Sequence, residues 1–77
     1  MWSEGIIACP STGGKYKYWV KHYEECSPFG IDGGRISKLT LRKVGDTRDL
    51  CNYDRGWDIE PSDEVKTVYA MILSKYN

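Results

Sequence analysis

No stretch of this 77-residue chain approaches the ~20 consecutive apolar residues of a membrane-spanning helix. Net charge is also missing: eleven Lys and Arg stand against eleven Asp and Glu. A protein that grips nucleic acid chiefly by neutralising phosphates needs an excess of cations. That mode is excluded for the chain as a whole, which leaves room for a local basic strip. The opening MWSEGIIACP lacks the basic start and longer apolar run of a secretory signal. The expected setting is therefore the cytosol, with Cys9, Cys26 and Cys51 reduced.

Metal and nucleophile signatures are absent too. Cys9, Cys26, Cys51 and His22 are the residue types of a Cys3His zinc site, but there is no CxxC knuckle. Only His22 and Cys26 are near each other in sequence. No third group stands ready to complete a catalytic pair made from them. Neither a metal, a cofactor nor an enzymatic activity is expected. Asp46, Asp49, Asp54, Asp58 and Glu60 gather in the second half. They read as a solvated loop in which Arg55 ties to Asp54 or Asp58.

Glycine is concentrated in FGIDGGRI, Phe29 to Ile36. A phosphate loop runs from strand to glycines to helix. Here the glycines lead into RISKLTL, which alternates like a strand. Neither GxxxxGK[ST] nor GxGxxG occurs. The expected role is turn geometry, with Asp32-Gly33 as a two-residue type I′ hairpin loop pairing Phe29–Ile31 with Gly34–Ile36. A secondary expectation is an anion held by Gly33, Gly34 and Arg35, where bare amides adjoin a cation.

Aromatic residues are plentiful, with three Trp and six Tyr against one Phe. Trp and Tyr carry a polar handle and concentrate at interfaces; they also favour pleated surfaces. In WSEGIIAC, Trp2, Glu4, Ile6 and Ala8 share one side of a strand, with Gly5 as a weak point or bulge. In KYKYWVKHY, Tyr16, Tyr18 and Val20 form one face and Lys17, Trp19, Lys21 and Tyr23 the other. Leu39 and Leu41 mark the buried side of a third strand, with Lys38, Thr40 and Arg42 on its wet side. A turn at Gly45-Asp46 leads to a fourth strand over Arg48–Asp54, after which RGWDIEPSD leaves the sheet. Finally, Val65, Val68, Tyr69, Ile72, Leu73 and Tyr76 recur at helical spacing after Pro61.

Residues 1–77 thus form a single α+β domain: a four-stranded antiparallel β-meander with one C-terminal helix on one face (ββββα). The helix leaves the Lys17, Trp19, Lys21, Tyr23 strip uncovered. Basic and aromatic residues so mixed suit a protein partner, a second copy of the chain, or stacked bases of single-stranded nucleic acid. Tyr53, Arg55 and Trp57 in NYDRGWD are hot-spot residue types and form a second candidate contact. The rival expectation is that Trp57 plugs the end of the core.

The segments FGIDGGRISKL and NYDRGWD and the final YN resemble short uncharacterised proteins of Gram-positive bacteria and their phages, over Trp2 to Asn77. The resemblance implies a cytosolic protein of a bacterium or mobile element, of a kind that often blocks a host or defence factor. The expected function is non-enzymatic binding through protein–protein contact.

Overall fold

A computed structural model describes all 77 residues. Five strands follow one another: β1 (Trp2–Ala8), β2 (Lys15–His22), β3 (Ile36–Lys43), β4 (Asp49–Asp54) and β5 (Trp57–Ile59), and α1 (Lys66–Tyr76) ends the chain. The sheet is an antiparallel meander in the order β1-β2-β3-β4-β5, so β1 and β5 are its edges.

The α+β class, the meander and the C-terminal helix match the sequence reading, but the sheet has five strands rather than four. RGWDIE does not leave the sheet. It turns at Arg55-Gly56, where the Asp54 amide donates to the Gly56 carbonyl at 2.9 Å. Trp57 and Ile59 then pair with Tyr53 and Asn52. The turn places Arg55 at φ 60°, a left-handed conformation uncommon for a side chain of this size.

The expected hairpin at Asp32-Gly33 is the second correction. Both residues have positive φ, as a type I′ turn needs, but the flanking residues do not form strands. Ile31–Gly33 make a single 3-10 turn instead. Ile31 is pulled completely into the core, which a strand pairing at the surface would forbid. The loop is locked by the last residue. Asn77 donates its side-chain amide to the Ile31 carbonyl at 3.1 Å and accepts from the Ile36 amide at 2.9 Å. A Cβ at Gly34 would collide with the Asn77 side chain, so this glycine serves close approach, its own backbone being extended at φ −93°.

Period-two alternation sends Tyr16, Tyr18 and Val20 to the helix side, opposite Leu39 and Leu41, which in turn face Tyr53 and Cys51. Gly5 is no bulge: pairing runs unbroken from Trp2 to Ala8. Its missing side chain lets the Tyr18 ring lie across β1, because a Cβ there would meet the Tyr18 hydroxyl at 2.8 Å. That hydroxyl then reaches the Tyr76 hydroxyl at 3.0 Å.

The apolar stripe of the last segment settles on this face. Val65, Val68 and Ile72 are fully buried, and Tyr69, Leu73 and Tyr76 pack at the margins. Asp63–Val65 form a 3-10 turn that feeds α1. Burying the three aliphatic side chains contributes roughly 5–9 kcal/mol before chain entropy is subtracted. The helix is thus held by tertiary packing, as expected for eleven residues, which are too few to be stable alone.

Candidate binding surface

The helix covers one side of the sheet, and alternation sends the remaining side chains to the other. The register puts Trp2 beside Lys21 and Lys38; Glu4 beside Trp19 and Thr40; and Ile6 beside Lys17 and Arg42. The open face therefore consists of two rows that join an apolar group to cations, on either side of a middle row in which Trp19 stands between the Glu4 carboxylate and Thr40. Trp2 is 58% and Ile6 62% exposed, and Trp19 is half-buried between them.

Cations lie on the rings. The Lys17 ammonium is 4.9 Å and the Arg42 guanidinium 5.4 Å from the Trp19 ring centre. Lys21 sits 5.8 Å from Trp2 and 5.7 Å from Tyr23. At such exposed sites each contact is worth about 0.5–1 kcal/mol. Arg42 also pairs with Asp49, and Lys38 with Asp54 at 3.6 Å. Lys17 and Lys21 have no carboxylate partner, since the four ion pairs are those two, Arg48–Asp46 and Lys66–Asp63.

Lys17, Trp19, Lys21 and Tyr23 thus lie together on the helix-free side, as the spacing predicts. Trp2 and Ile6 complete the surface. Sequence reasoning placed them on one strand side without joining them to the strip, because strand alternation does not reveal which side of β1 meets which side of β2. The partner register does.

The second candidate group is divided. Tyr53 is buried, and its hydroxyl donates to the Phe29 carbonyl at 2.8 Å. Trp57 packs edge-on against Tyr53 at 4.9 Å and against Tyr69 at 5.6 Å, closing the end of the core on the helix side. Arg55 is tied neither to Asp54 nor to Asp58; its guanidinium lies 5.0 Å from the Phe29 ring centre. Of the three, only Arg55 faces the open side's surroundings. It helps line a surface cavity of about 280 Å³ together with Lys21, Tyr23, Ser27, Phe29, Ser37 and Lys38.

Gly33, Gly34 and Arg35 do not form an anion cradle. The Gly33 and Gly34 amides donate to the Gly30 and Ile31 carbonyls, and Arg35 Nε donates to the Asn77 carbonyl at 3.3 Å. No three His, Cys, Asp or Glu side chains converge where they could share a metal ion.

The titrating groups fall into two environments. Burial pushes the Cys51 thiol up to about 12, whereas hydrogen bonds from Ser11 and Thr12 hold Cys9 down at about 7. Burial, then the nearby Met1 amino group and Arg35, lower His22, which stacks on Tyr76 at 4.8 Å and meets the Ser3 hydroxyl through Nε2 at 3.0 Å. On the open side, the hydrogen bond from Lys21 chiefly lowers Tyr23, with Arg55 adding to the effect.

No curated protein and no solved structure matches the chain. The model of one family matches residues 1–77, and the chain belongs to that family, described as a domain of unknown function, DUF7678.

Proposed function

We propose that this domain is a non-enzymatic binding protein whose helix-free sheet face docks a protein surface that is apolar at its centre and acidic around it. The observation that carries this reading is the combination of exposed Trp2 and Ile6 flanking Trp19 with two cations, Lys17 and Lys21, that lack carboxylate partners. Trp residues are frequent anchors of docked surfaces, and unpaired cations facing an acidic partner steer its approach and fix its register.

Single-stranded nucleic acid fits the same face less well. The Glu4 carboxylate stands directly opposite Trp19, where it would repel a phosphate backbone, and Arg42 is paired with Asp49. A second copy of the chain is the other competing occupant, because a net charge of zero does not keep copies apart. The setting we infer is the cytosol of a Gram-positive bacterium or its phage, with a host or defence factor as target. It rests on the resemblance carried by FGIDGGRISKL and NYDRGWD.

The test is capture from bacterial lysate with the natural chain, Trp2→Ala/Trp19→Ala and Lys17→Glu/Lys21→Glu, followed by purification of the captured protein and direct titration. Both variants should lose it by at least about tenfold while keeping their helical circular dichroism. Light scattering and oligonucleotide titration at low salt run beside it. Equal capture by all three chains, a dimer that occupies the face, or salt-sensitive oligonucleotide binding that Trp2→Ala/Trp19→Ala abolishes would overturn the protein-docking reading.

A further inference from the structure

The cavity at the β2–β3 end of the sheet gathers three cations from three separate parts of the chain: Lys21 at the end of β2, Lys38 in β3 and Arg55 in the β4–β5 turn. Only Lys38 has a carboxylate, Asp54, and at 3.6 Å between half-exposed and exposed groups that pair is weak. The local surplus is two positive charges. Hydroxyls of Ser27 and Ser37 line the same cavity, and the half-exposed rings of Tyr23 and Phe29 flank it.

A surplus of two matches a phosphomonoester, which carries about −1.5 to −2 at neutral pH and offers three strong acceptor oxygens. Lysines and an arginine are the usual means of holding such a group; the Ser27 hydroxyl, which accepts from the Phe29 amide, keeps its proton to donate, whereas the Ser37 hydroxyl donates to the Lys21 carbonyl. The cavity volume of about 280 Å³ lies just below the range for small-molecule sites, ~300–1,000 Å³. It has room for one phosphate and one ring, not for a dinucleotide. Arg55 adds an independent sign. It holds a left-handed backbone that glycine would adopt without cost, and strain of this kind persists where a side chain is needed in place.

We propose that this cavity binds a nucleotide, with its phosphate among Lys21, Lys38, Arg55 and the Ser27 hydroxyl and its base against Tyr23 or Phe29. The site goes beyond the docking reading and uses different residues, Lys21 and Tyr23 excepted. The nucleotide is either a free mononucleotide or the phosphorylated end of a nucleic acid strand, and the same chemistry serves both.

The test is titration of the full chain, isotope-labelled for amide resonances, with a 5′-mononucleotide, its unphosphorylated nucleoside, inorganic phosphate, and a short single strand with or without a 5′-phosphate. The amides of Ser37, Lys38 and Arg55 should shift with the mononucleotide or with the phosphorylated strand, and the better binder identifies the source. Nucleoside and inorganic phosphate should each bind at least about tenfold more weakly. Arg55→Gly should weaken the preferred ligand about tenfold or more while raising or preserving the melting temperature, because glycine relieves the strained turn. Lys38→Ala should weaken it as well, whereas Trp19→Ala should leave the affinity within about twofold, which separates this site from the docking face. Absence of binding at millimolar concentrations, equal binding by Arg55→Gly, or inorganic phosphate binding as well as the nucleotide would overturn the proposal.

Discussion

Trp19 and Val20 are neighbours on β2, yet they face different worlds. Val20 is fully enclosed beneath α1, among Leu39, Leu41, Cys51 and the helix residues Val68 and Ile72. Trp19 lies on bare sheet under two cations, with Trp2 and Ile6 open to water nearby. A single helix accounts for the difference. A sheet buries both faces only when something lies on both, and this chain has residues for one cover. The closed face supplies most of the stability. The open face costs a little of it, in exposed apolar area, and is the surface we propose for recognition.

Substitutions sharpen that contrast. The largest effect is expected at Leu41, whose truncation to Ala on the closed face should cost about 2–5 kcal/mol. A domain of this size holds only several kcal/mol in total, so Leu41→Ala should melt at least about 10 °C lower in a calorimetric scan. Next comes Asn77→Ala, which strips partners from the Ile36 amide and Ile31 carbonyl and should cost about 1–3 kcal/mol in urea unfolding.

His22 gives a smaller, pH-dependent effect. Its folded pKa is lowered, so the unfolded chain binds its proton more readily. The sign follows directly: its contribution is complete above the unfolded value of about 6.5 and is lost as pH falls through it. The urea midpoint should decline from pH 7 to pH 5, and His22→Gln should flatten that decline. The smallest effect is expected at Trp19. Trp19→Ala should change stability by less than about 1 kcal/mol, and a loss as large as that of Leu41→Ala would erase the proposed division between the faces.

What the sequence disclosed and what it concealed follow from range. Alternation in KYKYWVKHY and SKLTL, and the stripe from Val65 to Tyr76, are repeated local signals, and they located two strands, the helix and the uncovered strip. β5 has three residues, too few to show a period, and it follows an arginine in a glycine-like conformation. The Asn77 lock joins residues 41 to 46 positions apart through one amide side chain, and no periodicity announces it. Tyr53 has the residue type of a recognition surface, but its phase in β4 places it opposite Leu39, inside. The cavity with Arg55 was out of reach for the same reason. Lys21, Lys38 and Arg55 meet only once three strands are in register.

The three tryptophans are also distributed by face: Trp57 sits in the aromatic cluster with Tyr53 and Tyr69, Trp19 under its cations, and Trp2 at an edge. The molecule therefore carries built-in optical labels for its two sides. In chains that keep one indole each, a change in Trp57 emission reports on the integrity of the fold, while changes at Trp2 or Trp19 that leave Trp57 untouched report on an arriving ligand.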